Sequence, residues 1–255
     1  MLNLLTWPVR VVYGTYCWTT FLAFGVVALF AMLITPGLER RRRIARRAGE
    51  ISFAFMGIRL RTEGLERLPA ERCVVIANHA SYLDGVVMTA ALPPRFSFVI
   101  KKEMSRFPLA GQLLRRIGSE FVDRQDRHKG AMDARRVLRR ASQGASLVFF
   151  PEGTFSKQPG LLRFHNGAFA TAVRAKCPVV VVIIRGTRQI LPSHRIAPRP
   201  GTVTVELLAV LEPTSDHPEP AIRLRDEARR ILLAHLGEPD LSQATGVQPL
   251  AGETA

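Results

Sequence analysis

CVVIANHASYLDGVVMTAAL, residues 73–92, changes character twice within one short stretch. It begins with five apolar residues rich in β-branched side chains, a composition typical of a buried strand. The polar turn NHASYLD follows at residues 78–84, and an apolar segment that suits a helix ends the stretch. A strand that leads through a turn into a helix is the repeating unit of an α/β domain.

The same alternation continues along the chain and predicts an α/β fold with a mixed, largely parallel sheet flanked by helices. The run VVVVII at residues 179–184 has no polar alternation, so it is expected to be a central strand covered on both faces. The predicted strands are residues 73–77, 96–100, 119–122, 146–150, 179–184 and 202–210. The predicted helices are residues 84–92, 108–118, 131–142, 166–175 and 219–236.

The N-terminal segment is apolar enough to enter a membrane. Residues 11–34 carry no charge, and as a helix rising about 1.5 Å per residue they would reach roughly 36 Å, more than the hydrocarbon thickness of about 30 Å. The arginine-rich segment 39–47 follows at once. Because arginines concentrate on the cytoplasmic side of membrane helices, we expect a protein anchored in a bacterial inner membrane with its remaining residues on the cytoplasmic face.

Two other arrangements of this segment stay open. It could be a helix buried in the core of a soluble protein. It could instead form a hairpin that enters only one leaflet, with residues 44–58 lying along the interface. Ile44, Ala48, Ile51 and Phe55 have the spacing of one helix face, as an interfacial helix requires.

The net charge of +15 is concentrated in two segments. Residues 36–61 carry eight Arg against two Glu, and residues 101–140 carry twelve Lys and Arg against five acids. Such patches suit anionic membrane lipids or phosphate ligands. Nucleic acid is disfavoured as a partner, because the chain has no aromatic-rich RNA motif, zinc-finger spacing or leucine-zipper heptads. No metal is expected either, since the three cysteines lack metal-ligand spacing.

Two segments of the chain share the pattern His-x-x-x-x-Asp. His128 and Asp133 belong to a charged amphipathic helix, where we expect both side chains to be solvated. His79 and Asp84 instead follow a buried strand, at the edge of the sheet where α/β proteins bind ligands. The Asp84 carboxylate could reach back to one imidazole nitrogen and fix the tautomer, which leaves the other nitrogen free to accept a proton. The alternative is that Asp84 or Ser81 simply caps the following helix.

Two more polar segments end predicted strands. GSEFVDR, residues 118–124, places Arg124 directly after a strand. FFPEGTFS, residues 149–156, leaves a buried strand through a Glu-Gly-Thr turn. A glycine beside exposed backbone amides and a hydroxyl can hold an anion or the carbonyl oxygen of an acyl group.

These segments together resemble the motifs of the glycerophospholipid acyltransferase family, and most closely its 1-acylglycerol-3-phosphate acyltransferases. His-x-x-x-x-Asp, Gly-x-x-Phe-x-x-Arg, Phe-Pro-Glu-Gly-Thr and an apolar run after Pro178 occur in the family's order over residues 73–185. KKEM at residues 101–104 is similar to the family's Lys-x-Glu-Leu region. The resemblance implies the glycerol-3-phosphate acyltransferase fold, here preceded by a membrane helix.

The resemblance also implies a reaction. His79 would take the proton of a lysophospholipid hydroxyl while that oxygen attacks the thioester of acyl-CoA or acyl-carrier protein, and Asp84 would orient His79. A thioester is already activated, so neither a cofactor nor an acyl-enzyme is expected, and the donor acts as co-substrate. Lys101 or Lys102 could add a point charge for a phosphate. The residues that the resemblance assigns to substrate binding are Asn78, Lys102, Arg124, Glu152, Gly153 and Thr154.

One position departs from the family pattern. Phe155 stands where the family often has the arginine of Pro-Glu-Gly-Thr-Arg-Ser, so one phosphate-pairing charge is missing. Lys157, Arg163 or His165 from the same loop could replace that charge. Alternatively, the acceptor is another lyso-lipid, such as a lyso-ornithine lipid, or the protein binds lipid without catalysis on the same fold.

The motifs and the composition divide the chain into three parts. Residues 1–60 are expected to form the membrane anchor and a basic interfacial helix. Residues 61–238 are expected to form the catalytic domain, and the small, polar residues 239–255 a disordered tail.

Overall fold

The computed structural model describes residues 2–123, 126–213 and 219–243. Short 3-10 turns occur at Leu65–Arg67 and Lys102–Arg106. The helices are α1 (Leu2–Ile34), α2 (Leu38–Phe55), α3 (Asp84–Ala91), α4 (Pro108–Arg116), α5 (Arg127–Ser142), α6 (Gly167–Ala175), α7 (Thr187–Ile190) and α8 (Pro220–Leu236). The strands are β1 (Ile58–Glu63), β2 (Val74–Ala77), β3 (Phe96–Lys101), β4 (Glu120–Val122), β5 (Ser146–Phe149), β6 (Val179–Arg185) and β7 (Gly201–Leu211).

The seven strands form one sheet in the order β1-β7-β6-β2-β5-β3-β4. Strands β6 and β7 are antiparallel, and the other neighbouring pairs among the described residues are parallel. The predicted mixed, largely parallel sheet is therefore confirmed. Strand β6 lies between β7 and β2, and its residues 179–184 are all buried, as the apolar run predicts.

Helices cover both faces of the sheet, and alternate residues of each central strand point to opposite layers. In β2, Val75 and Ala77 join the hydrophobic cluster of α1, α2 and α3. Val74 and Ile76 join the cluster of α5, α6 and α8. This alternation is the period of two that a strand imposes on its side chains, and two buried layers explain why β2 contains no polar residue.

Strand β1 was not predicted, and it crosses the expected division at residue 60. It pairs in parallel with β7, from Ile58 beside Gly201 to Glu63 beside Glu206. Only Ile58 of its side chains is buried, as an edge strand allows. The strand belongs to the same sheet as β2 and β5, so the sheet begins before residue 61.

Helix α1 packs on the rest of the protein along one stripe. Gly14, Cys17, Ala28 and Met32 are buried at helical spacing. A Cβ atom on Gly14 would lie 2.8 Å from the Cβ of Ala197, so only glycine permits this approach. The other faces of the helix expose large apolar side chains. By length and composition, the stretch from residue 8 to residue 34 could cross a membrane.

Arg42 fixes the basic helix α2 to the sheet layer. Its guanidinium donates to the carbonyl oxygens of Ile117 (2.8 Å) and Arg95 (2.9 Å) and to the hydroxyl of Ser97. Burial lowers the pKa of Arg42 to about 10. Five donors in a planar fork suit such a cluster of acceptors, so at least one arginine of the basic segment is structural rather than lipid-facing.

Residues 239–243 are ordered by contacts, although the sequence places them in a disordered tail. The Leu161 N–H donates to the carbonyl of Pro239 (2.9 Å), and the Leu241 N–H donates to the carbonyl of Leu161 (3.0 Å). Two nitrogens of the Arg229 guanidinium donate to the two carboxylate oxygens of Asp240, at 2.6 and 2.8 Å. These bonds hold residues 239–243 against the loop that follows β5. Residues 244–255 of the predicted tail lie outside the described residues.

Candidate active site

The His79–Asp84 pair forms at the carboxyl end of β2. Nδ1 of His79 lies 2.8 Å from Oδ2 of Asp84. Since an ionised carboxylate can only accept, this contact favours the ring form with its hydrogen on Nδ1. The same Asp84 oxygen accepts the backbone N–H groups of Ala80 (2.6 Å) and Ser81 (2.8 Å), and the Asp84 side chain is fully buried. Asp84 therefore orients the imidazole and also fixes the turn before α3. The capping alternative is wrong, because Leu83 is at the N-cap of α3 and no side chain caps the helix there.

Aromatic rings clamp the imidazole of His79. The ring stacks on Phe150, with centroids 4.4 Å apart and planes 23° apart. Phe155 packs against it at 4.6 Å and 58°, and Tyr82 packs edge-on against Phe155 at 4.8 Å. The His79 side chain keeps 19% of its surface exposed. Because Nδ1 is bound to Asp84, Nε2 is the nitrogen left to exchange a proton with a substrate.

The carboxyl group of Glu152 accepts hydrogen bonds from the histidine turn and from the loop after β5. Its Oε1 accepts the backbone N–H of His79 (2.6 Å), and its Oε2 accepts the N–H of Leu162 (2.8 Å). Burial raises the pKa of Glu152 to about 8, although the two backbone bonds favour the ionised form. With both oxygens engaged, the carboxylate joins the loop after β5 to the turn after β2.

Gly153 closes the turn next to Glu152. Its φ of +76° lies in the left-handed region that favours glycine. Its N–H donates to the carbonyl of Phe150 (3.0 Å). The Gly153 amide, which the sequence offers as an anion ligand, is thus engaged within the turn, and Thr154 beside it is half-buried.

Asn78 follows the last residue of β2, and its side-chain amide bonds to the backbone of β6 in place of a further backbone pair. Its amide oxygen accepts the N–H of Ile184 (2.8 Å), and its amide nitrogen donates to the carbonyl of the same residue (3.0 Å). Asn78 is buried. These two bonds fix the position at which the histidine turn leaves the sheet.

Lys102 follows β3 at the same carboxyl edge of the sheet as the histidine turn, but it lines a cleft to which His79 does not contribute. Its Nζ is 3.4 Å from Oδ2 of Asp123, and its side chain is about half exposed, at 49%. It lines a cleft of about 450 Å³ between α4, β4 and α5. Other basic residues that line this cleft are Arg115, Lys129 and Arg136. Arg124, expected beside Lys102 in substrate binding, lies outside the described residues.

Phe155, at the position of the family's arginine, is buried against the imidazole. Only 5% of its surface is exposed. The three basic side chains that could replace the missing charge, Lys157, Arg163 and His165, are all exposed in the loop that follows. Sequence reasoning recognised the substitution but missed the packing of Phe150 and Phe155 on His79. The adjacent aromatic residues in FFPEGTF were its only signal.

The second His-x-x-x-x-Asp segment makes no such pair. His128 is exposed on α5. Asp133 accepts the backbone N–H of Asp123 (2.8 Å) and pairs with Arg136 (2.7 Å). The expectation that Asp133 is solvated is wrong, because only 14% of its side chain is exposed and its carboxylate bonds to Arg136 and to the backbone between β4 and α5.

Comparison with known proteins identifies the class. Residues 59–185 match the Acyltransferase family, and this range contains the histidine turn, the Glu152 turn and most of the sheet. The chain therefore belongs to this family of acyltransferases. The family assignment agrees with the motifs and their order.

The similar proteins include 1-acyl-sn-glycerol-3-phosphate acyltransferases. A 1-acyl-sn-glycerol-3-phosphate acyltransferase of Chlamydomonas reinhardtii is 31% identical over 189 residues, which cover 73% of this chain and 55% of the algal protein. The beta form from Homo sapiens is 32% identical over 164 residues, covering 63% of this chain and 58% of the human one. The chain thus spans a little over half the length of these two relatives.

A solved structure shares the fold over nearly the whole chain. It is the crystal structure of the 1-acyl-sn-glycerophosphate (LPA) acyltransferase PlsC from Thermotoga maritima, with a TM-score of 0.72 at 22% identity. The match covers 89% of this chain and 93% of that one. The predicted acyltransferase fold is therefore confirmed, and the apolar helix α1 precedes the sheet as expected.

Proposed function

We propose that the protein is a membrane-bound O-acyltransferase. It moves a fatty acyl group from acyl-CoA or acyl-carrier protein to the hydroxyl of 1-acyl-sn-glycerol-3-phosphate and so forms phosphatidic acid. The names of the similar proteins support this substrate. The observation that carries the proposal is the 2.8 Å contact between His79 Nδ1 and Asp84 Oδ2 at the carboxyl edge of the sheet.

The chemistry follows from this contact. A lipid alcohol is a poor nucleophile at neutral pH, so Nε2 of His79 takes its proton as the oxygen attacks the thioester carbonyl. Asp84 stabilises the resulting imidazolium. When the tetrahedral intermediate collapses, the carbon–sulfur bond breaks and the imidazolium returns the proton to the departing thiolate. General-base help of this kind is worth about 10²- to 10⁴-fold in rate.

The other site residues divide by role. Asn78 and Glu152 act by positioning, because both fix the start of the histidine turn, through the backbone of Ile184 and the N–H of His79. Thr154 and the basic residues Lys102 and Arg124 are proposed to contact the acceptor, with the guanidinium of Arg124 suited to a phosphate. The thioester is already activated, so this step needs neither a metal nor a bound cofactor.

The packing of α1 bears on how the protein meets the membrane. Its contacts run from Tyr13 to Met32, a length of about 30 Å on a helix. If α1 crossed the bilayer upright, the attached arginine-rich helices α2 and α4 would lie at hydrocarbon depth, at high cost. We therefore propose that α1 enters one leaflet on the cytoplasmic side, with exposed arginines of α2 such as Arg40 and Arg47 contacting anionic lipids.

A second acceptor is favoured by one observation. Phe155 fills the arginine position with a buried ring, so no cation from that position can pair with a phosphate monoester. A lyso-lipid with a different head group, such as a lyso-ornithine lipid, would undergo the same acyl chemistry at His79.

One assay tests both candidates. The purified chain in lipid vesicles is incubated with labelled acyl-CoA or acyl-carrier protein and a panel of lyso-lipids, next to a His79→Ala control. We expect transfer to at least one lyso-lipid, and loss of that transfer in the control. A wild-type chain that acylates no member of the panel, or a control that matches it, contradicts the proposed function.

A further inference from the structure

The loop between α7 and β7, residues 191–200, exposes an isoleucine among cationic side chains. Ile196 is 80% exposed. His194, Arg195 and Arg199 in the same loop are also exposed. A single exposed apolar side chain is common on soluble proteins and needs no explanation by itself. Ile196 is of interest because it lies beside the exposed apolar face of α1.

The loop is joined to the apolar helix α1. The indole N–H of Trp18 donates to the carbonyl of Ile196 at 2.7 Å. One turn earlier, Gly14 lets α1 approach within contact of Ala197. Tyr16 and Trp18, both partly exposed, stand on α1 at this level. Tyrosine and tryptophan prefer the boundary between lipid headgroups and acyl chains, and Ile196 lies next to this aromatic part of the exposed apolar surface of α1.

We propose that the loop 191–200 is a second lipid-contacting surface, contributed by the catalytic unit itself. Ile196 inserts among the acyl chains beside Trp18, while Arg195 and Arg199 contact the phosphates of anionic lipids. Arginine matches phosphate geometry through its planar fork. The occupant is a lipid bilayer, because the surface is continuous with the exposed apolar face of α1.

The base of the loop is bonded to the histidine turn. The Ser81 hydroxyl donates to the carbonyl of Leu191 (2.7 Å), and the Leu83 N–H donates to the Ser81 hydroxyl (3.2 Å). At the other end of the loop, the Arg199 N–H donates to the carbonyl of Ile190 (2.9 Å). Lipid contact at the loop would therefore set the turn that carries His79 at a defined height above the membrane.

Site-specific labelling tests the insertion without measuring activity. The three native cysteines are buried, so Ile196→Cys can be labelled selectively with an environment-sensitive fluorophore. Asp226→Cys is the matched control, because its side chain is 60% exposed on α8, a helix on the opposite face of the sheet from α1. Both proteins are placed in vesicles of zwitterionic and anionic phospholipid that carry nitroxide labels near the top of the acyl chains.

The expected result is a difference between the two sites. The label at 196 should shift to the blue, lose most of its emission to the nitroxide lipids and resist aqueous iodide, whereas the label at 226 should behave in the opposite way. A label at 196 that is as accessible to iodide as the one at 226 overturns the proposal. The readout is independent of acyl transfer, so a failed activity assay and a failed insertion assay remain distinguishable.

A charge variant tests the role of the arginines. Arg195→Glu with Arg199→Glu in the labelled protein should weaken insertion on anionic vesicles, by roughly fivefold for each arginine lost, and leave zwitterionic vesicles nearly unaffected. Equal insertion of the charge variant and its parent on anionic vesicles would show that the arginines take no part, and would overturn that half of the proposal.

Discussion

Two segments of this chain carry His-x-x-x-x-Asp, and the backbone between the two residues decides what each segment does. From His79 to Asp84 the chain turns before α3, and the side chains meet at 2.8 Å. His128 and Asp133 both lie on α5, where five residues advance about 140° beyond a full turn and place the side chains on different faces. A shared spacing therefore predicts a shared site only when the local structure is also shared.

The largest expected effect separates the two histidines. His79→Ala removes the proposed base and should lower acyl transfer by about 10²- to 10⁴-fold. His128→Ala changes an exposed side chain and should leave the rate unaltered. Turnover of labelled acyl donor by both variants in the same vesicles provides the measurement, with folding checked by circular dichroism. Equal rates in the two variants would remove the distinction between the segments.

Replacing Asp84 and replacing Asp133 should also differ in their effect on acyl transfer, by less than the two histidine changes. Asp84→Asn can keep its oxygen toward His79 and the turn amides, and its amide nitrogen would occupy the place of Oδ1, which has no partner among the described residues. The variant thus removes charge more than shape, and we expect kcat to fall by at least tenfold while KM changes little.

Asp133→Asn is the matched change on α5. It weakens the ion pair with Arg136 and should reduce the free energy of unfolding by up to about 1 kcal/mol, with kcat intact. Chemical denaturation and initial rates on both variants give the comparison. A loss of kcat in Asp133→Asn like that in Asp84→Asn would contradict it.

Glu152, which bonds to the histidine turn, should make the free energy of unfolding depend on pH. Its pKa is raised from 4.5 to about 8, so the folded state binds more protons than the unfolded state between these values. The contribution of Glu152 is therefore greatest at low pH and is lost as pH rises from about 4.5 to about 8. The slope cannot exceed about 1.4 kcal/mol per pH unit.

Glu152→Gln should remove this dependence. The variant cannot ionise, so the difference in unfolding free energy between wild type and variant should change across that pH range and be constant outside it. Denaturant titrations at several pH values measure the difference. A pH-independent difference would mean that Glu152 titrates normally in the folded protein.

The smallest expected effect concerns the ring that packs on His79. Phe155→Arg restores the charge of the family pattern and should shift acceptor preference several-fold toward a phosphate monoester. Phe155→Leu is the control, because it removes the ring without adding charge. Competition between lysophosphatidate and an uncharged or zwitterionic lyso-lipid in one assay gives the ratio. The same ratio in both variants would show that position 155 does not contact the head group.

Most of the fold could be predicted because its strands are apolar runs between turn residues. VVVVII is the buried strand β6, as expected. The edge strand β1 escaped prediction, since one buried side chain in six leaves no periodic signal. Helix α5 begins at Arg127 rather than residue 131, because Asp126 caps it by accepting the N–H groups of His128 and Lys129. The capping side chain thus sets the start of α5, which hydrophobic periodicity alone cannot locate.

The candidate site could be predicted only where it is local in sequence. His79 and Asp84 are five residues apart and follow one strand, so their contact could be expected. The bond from the His79 N–H to Glu152 joins residues 73 positions apart, and the stacking of Phe150 on the imidazole depends on the register of β5 beside β2. Such contacts arise from the sheet topology, which no single motif specifies.

The most direct test of the mechanism is the ¹⁵N NMR spectrum of the histidine side chains in lipid nanodiscs, with His79→Gln used to assign the His79 signals. The contact with Asp84 predicts that the neutral ring carries its hydrogen on Nδ1 and leaves Nε2 bare, and that Asp84→Asn disturbs this preference while Asp133→Asn does not. A neutral His79 with its hydrogen on Nε2 would contradict the proposed role of the pair, because the bare nitrogen would then be Nδ1, which faces Asp84 instead of the lipid alcohol.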